Sequence, residues 1–200
     1  MSAFLGPVHV KMYDRILFQD RMSEAFLEKY EQEYHDGSIR EDVEVLYPAA
    51  QKVALETIID ESNIHGWLSE AVENCEKRFS FIVTASMKAQ PALLEEYKAI
   101  MAEFGKEYKS ANPETPSEAF TVIHNILLDG MPCDFPFQVL EENETEVKWE
   151  VKKCPHSFYW GATKEDYYYQ LRDAFVAGYL QGSNLSHVRD NGIHSIRKEA

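Results

Sequence analysis

Cys154-Pro155-His156 places a thiol two residues from an imidazole. A thiolate beside an imidazole is the minimum apparatus for nucleophilic attack on an electrophilic carbon. Lys152, Lys153 and His156 would each favour the thiolate if folded against it. The alternative use of the same sulfur is as a small buried hydrophobe at a strand end. Metal ligation is a third use, with Cys133, Asp134 or His124 completing a set. No Cys-x-x-Cys or His-x-x-x-His spacing supports that use, so no metal and no cofactor are assigned.

A second chemical residue is Asp173. Tyr168, Leu171, Phe175 and Tyr179 form one stripe of a helix. The next stripe runs Tyr169, Asp173, Val176 and Leu180, so a carboxylate interrupts an otherwise apolar face. A half-buried carboxylate among rings is expected to hold its proton more tightly, as a general acid or base requires. The plainer expectation is an ion pair, in the neighbourhood of Arg172 or with Arg189. Tyr167-Tyr168-Tyr169 and Phe158-Tyr159-Trp160 flank both positions. With Tyr169 and Trp160 as lining residues, that is the composition of an aromatic small-molecule pocket. His124, between Phe120 and Leu127, reads as a satisfied core histidine, and His35 and His65 read as surface residues.

These residues need elements to position them. Val147, Trp149 and Val151 alternate with Lys148, Glu150 and Lys152, the period of a half-buried antiparallel strand. The alternation ends at Lys153, and a residue before proline is pushed to extended geometry, so Cys154 falls at the strand end. A partner strand is expected over Phe137–Glu142 and the last helix over Lys164–Leu180. The tail to Ala200 has room for an edge strand. Upstream, helices are expected over Val10–Tyr34, Ile39–Glu61 with a kink or break at Pro48, and from Ile64 onward. That third segment continues into Phe81-Ile82-Val83-Thr84, for which a short strand is the alternative. Further helices follow Pro91 and Thr115-Pro116-Ser117. The acidic stretch Glu41–Glu61 reads as a solvated helix face.

The fold expected is α+β: a helical N-terminal part on a small antiparallel sheet with a further C-terminal helix. One domain over 1–200 is the simplest organisation, with 1–130 mainly helical and 131–200 a β-hairpin, helix and tail. The net charge of −14 repels phosphate backbones and anionic lipid, which argues against nucleic-acid or membrane partners. No run approaches the ~20 apolar residues of a membrane span. The opening residues lack signal-peptide order, and three cysteines are an odd set, so reduced thiols in a cytoplasm are expected.

From Trp149 onward the motifs become specific. Val151-x-x-Cys154, Asp173-Ala174-Phe175, and then Asn184, Arg189 and Gly192 resemble the C-terminal half of the L-2-amino-thiazoline-4-carboxylic acid hydrolase-like family. Leu171 stands where that pattern has a second cysteine, and Gly192-Ile193-His194 where it continues into a cysteine motif. The resemblance implies a hydrolase of a small cyclic amidine. Cys154 would be the nucleophile, Asp173 the acid and Arg189 a clamp for a substrate carboxylate, with His156, which the resemblance does not include, as the base by its place beside the thiol. The competing expectation is a non-catalytic protein that binds a small ligand or metal in the same pocket.

Overall fold

The computed structural model describes residues 4–109, 111–131, 137–152, 154–161 and 164–199. The architecture is α+β, helices with one four-stranded antiparallel sheet. The chain divides into two compact units, Met1–Pro91 with Asn125–Met131, and Ala92–His124 with Pro132–Ala200. The second unit thus takes in helical segments from before residue 130. No helix among the described residues is long and apolar enough to cross a membrane.

The first unit is helical. α1 spans Pro7–Tyr34, α2 Ser38–Leu46 and α3 Ile64–Ala89. His35 ends α1 in the left-handed conformation. Asp36 then accepts the Ser38 amide, and α2 starts at Ser38 with Gly37 as its N-cap and no side-chain cap. Met12, Ile16, Leu68, Val72 and Cys75 close a shared core with Leu55, Ile59 and Leu128.

The structure decides two alternatives that the sequence left open in this unit. The helix expected to reach Glu61 stops at Leu46, because Pro48 forces Tyr47 out of helical geometry (φ −142°, ψ 73°). The irregular chain that follows has its backbone satisfied by side chains instead. Arg78 reaches the Tyr47 carbonyl, Asn74 the Pro48 carbonyl, and Asp20 the Ala50 amide. Phe81–Thr84 is not a strand but part of α3, whose buried Phe79, Ile82 and Val83 continue the helical stripe. The acidic stretch is also not wholly solvated: Glu44 pairs with the fully buried Arg78 at 2.7 Å.

The second unit holds α4 (Leu93–Tyr108), most of α5 (Pro116–Ile126), and a short α6 (Ser157–Trp160). It also holds α7 (Glu165–Leu180) and strands β1 (Phe137–Glu142), β2 (Glu146–Val151), β3 (Leu185–Asp190) and β4 (Ile193–Lys198). The strand order is β1-β2-β4-β3. The tail therefore supplies a complete hairpin rather than one edge strand. Its signal is Asn191-Gly192, both at positive φ (48° and 78°), as a tight hairpin turn demands. β4 lies inside the sheet and β3 forms the edge.

Helices α4 and α7 pack backbone to backbone. A Cβ on Gly178 would strike the Ala102 carbonyl oxygen, and one on Gly105 the Phe175 carbonyl oxygen. Only glycine permits that approach. It fixes the height of α7, and α7 carries Tyr169, Arg172 and Asp173.

Candidate functional site

Register places the site residues in rows. Trp149 of β2 pairs with His194 of β4, and His194 pairs with Arg189 of β3. One row over, Val147 pairs with Ile196 and Ile196 with His187. Strand alternation puts these side chains on one face. Helix α7 packs beside β3 and presents Asp173 to that face.

Arg189 Nε donates to Asp173 Oδ2 at 2.7 Å. The pair is shielded, with 27% and 30% of the side chains exposed. Burial raises the Asp173 pKa, and the Arg189 hydrogen bond and charge only partly oppose this. The ion pair and the tightened proton, two expectations from the sequence, coexist in one carboxylate. The guanidinium also lies over the Tyr169 ring, 5.1 Å from its centroid.

Tyr169 donates to Cys154 Sγ at 3.2 Å. Burial, together with that sulfur, pushes the phenol pKa well up, so Tyr169 stays protonated. Val151, Cys154, Tyr169, Arg189, Gly192 and His194 are among the residues lining a cleft of about 370 Å³. Arg189 also borders a second cleft of about 580 Å³, with Asp173, His187 and Ser183 among its walls.

His187 and His194 were not singled out by their types or spacing. His187 Nε2 lies 3.3 Å from His194 Nδ1. Trp149 stacks on both rings, at interplanar angles of 15° to His194 and 23° to His187. His187 Nδ1 is 3.8 Å from Asp173 Oδ1. That contact is not an ion pair at neutral pH: burial, with Arg172, Arg189 and His124 nearby, lowers the His187 pKa to about 3. The alternation His187-x-Arg189 along β3 is the one local signal that could have marked this histidine.

The structure brings together Cys154, Tyr169 and Arg189 in one cleft and ties Asp173 to Arg189. His156 and Trp160 sit elsewhere. The His156 ring is buried and stacks on Tyr168, centroids 3.5 Å apart, and Trp160 meets the same Tyr168 ring edge-on. Neither is among the residues that line the two clefts. Adjacent residues on α7 diverge by about 100°, so Tyr168 gathers one ring cluster and Tyr169 faces the sulfur. Lys152 pairs with Glu150 at 2.6 Å. Lys153, Cys133 and Asp134, named as further candidates, lie outside the described residues. His124 has Nδ1 at 2.8 Å from the Phe120 carbonyl oxygen.

Compared with known proteins, the chain matches no family model, no curated protein and no solved structure. The likeness of its C-terminal motifs to the amino-thiazoline carboxylate hydrolases rests on those residues alone.

Proposed function

We propose that the protein is a cytoplasmic hydrolase of a small carboxylated molecule with an electrophilic C–N carbon, of cyclic amidine type. One observation carries this reading: the Cys154 sulfur, the Tyr169 hydroxyl and the Arg189 guanidinium border a single cleft large enough for such a molecule. In the reaction, Cys154 Sγ adds to the amidine carbon. The ring nitrogen departs and takes, relayed by a water, the proton that the thiol gave up on attack. A second water then displaces the sulfur and regenerates the thiol. Tyr169 steadies the sulfur anion by hydrogen bonding, because its phenol keeps its proton. Arg189 holds the substrate carboxylate with its terminal nitrogens while Asp173 occupies Nε. Asp173 therefore serves as the buttress of Arg189 rather than as the acid. His156 has no role in this scheme, since its ring is spent on Tyr168. The strongly acidic surface suits a small-molecule substrate better than a nucleic acid, and a working thiol suits a reducing compartment.

The test is ring opening of 2-amino-thiazoline-4-carboxylate and related cyclic amidines by the purified chain, with Cys154→Ala alongside. Turnover that disappears in Cys154→Ala, with substrate binding retained, supports the scheme. Turnover that survives the substitution removes its central step. Binding without turnover in the wild-type chain makes the cleft a receptor rather than a catalyst.

A further inference from the structure

Asp173, His187 and His194 can each offer one ligand atom such that these atoms lie within 4.8 Å of one another. The three come from different elements, α7, β3 and β4, so no short motif advertises them. Two neutral-type nitrogen donors and one carboxylate, with positions left open, are a ligand set for Zn(II), Fe(II) or Co(II).

Three features go beyond proximity. First, His187 Nε2 and His194 Nδ1 are 3.3 Å apart. Two nitrogens each about 2.05 Å from a tetrahedral ion are separated by about 3.3 Å. Second, the carboxylate is prepared on one side only. Arg189 fixes Oδ2, whereas Oδ1 is buried with no hydrogen-bond partner among the described residues. A buried carboxylate oxygen left so is costly, and an ion would satisfy it. Third, both imidazoles are held by the same indole, since Trp149 stacks on each. Ligating side chains are commonly oriented by such an outer layer.

We propose that Asp173 Oδ1, His187 and His194 bind one divalent transition-metal ion between α7 and the β3–β4 hairpin. The ion would sit beside the Cys154 cleft, because His194 also lines that cleft. A small rotation of the Asp173 side chain brings Oδ1 into the shell. Arg172 and Arg189 act electrostatically on His187, and their charge weakens cation binding relative to a site without them. The inference does not depend on what Cys154 does.

The test uses the full-length chain, stripped with chelator and dialysed. It is titrated with Co(II), read by visible absorption, and with Zn(II), read by calorimetry. One ion per chain is expected. His187→Asn and His194→Asn should each weaken Co(II) binding at least about 100-fold. His35→Asn, at an exposed left-handed turn that asparagine tolerates, should leave it unchanged. Should a histidine variant not fold, the wild-type protein decides: Zn(II) must shift the imidazole 15N resonances of His187 and His194 and leave that of His35 in place. Absence of saturable Co(II) and Zn(II) binding below about 100 µM overturns the proposal. So does binding that persists in the His187→Asn/His194→Asn double variant.

Discussion

Tyr169 donates its hydroxyl hydrogen to Cys154 Sγ at 3.2 Å, joining the last helix to the end of β2. The two residues are fifteen positions apart, and the contact gives the half-exposed thiol a dedicated donor. Cys75 has a different setting. It is fully buried, and burial with Asp20 and Glu76 nearby pushes its pKa well up. Under native conditions iodoacetamide should therefore modify Cys154 and spare Cys75. Tyr169→Phe should slow alkylation of Cys154, because a hydrogen bond that favours the anion is lost. Peptide mapping over a time course reads both effects. An unchanged rate in Tyr169→Phe would mean the hydroxyl does nothing for the sulfur.

Arg189 and Asp173 should be energetically coupled. Their shielded 2.7 Å contact resembles pairs whose interaction energies reach about 1–2 kcal/mol in double-mutant cycles. Asp173→Asn, Arg189→Met and the double variant, unfolded in urea, supply the number. A coupling near zero would reduce the contact to an incidental surface pair.

Asp20 gives a pH dependence with a definite sign. Burial raises its pKa, opposed in part by the Ala50 amide, Arg78 and Cys75. A carboxylate whose folded pKa exceeds its unfolded value binds its proton more tightly in the native state. Its stabilising contribution is present below the unfolded pKa, near 4, and is lost as pH rises through the folded value. Compared with Asp20→Asn, the wild-type protein should thus be relatively more stable at pH 4 than at pH 7. Arg78 keeps Glu44 at 2.7 Å in the variant, which limits the secondary damage. A stability difference that is flat with pH would show that the Arg78 charge offsets the burial.

Gly178→Ala should cost about 3 kcal/mol or more, since its methyl group meets the rigid backbone of α4 at Ala102. Relief requires α7 to shift, which carries Tyr169 away from Cys154. The variant should lose melting temperature, and alkylation of Cys154 should slow as it does in Tyr169→Phe. Gly161→Ala makes a useful comparison: nothing crowds its Cβ, but φ is +69°, so only backbone strain is added. Equal losses in the two variants would argue that helix contact is not the cause.

Local rules account for much of the second unit. Alternation at Val147, Trp149 and Val151 specified β2, because one face of that strand is buried and the other solvated. The apolar stripes of α7 and its interruption at Asp173 were readable for the same reason, since helical period is a local property. The strand-end position of Cys154 followed from Pro155. Hairpin β3–β4 was also within reach, through Asn191-Gly192, but a sequence of short polar strands carries a weak apolar signal. Pro48 was visible as a kink or a break; only the side chains of Arg78, Asn74 and Asp20, reaching in from distant helices, make the irregular chain after it tenable.

The sequence by itself determined the α+β class, the strand that runs up to the Cys154 segment and ends at Val151, and the helix that bears Tyr169 and Asp173. Tertiary structure decided the company each residue keeps. It gave Cys154 to Tyr169 rather than to His156, two residues away, because a chain turning through Pro155 aims the imidazole at Tyr168. It gave Asp173 to Arg189, and it assembled His187 and His194 beside that carboxylate. Strand register and helix contact set those pairings, and both depend on residues too far apart in the chain for any local pattern to record them.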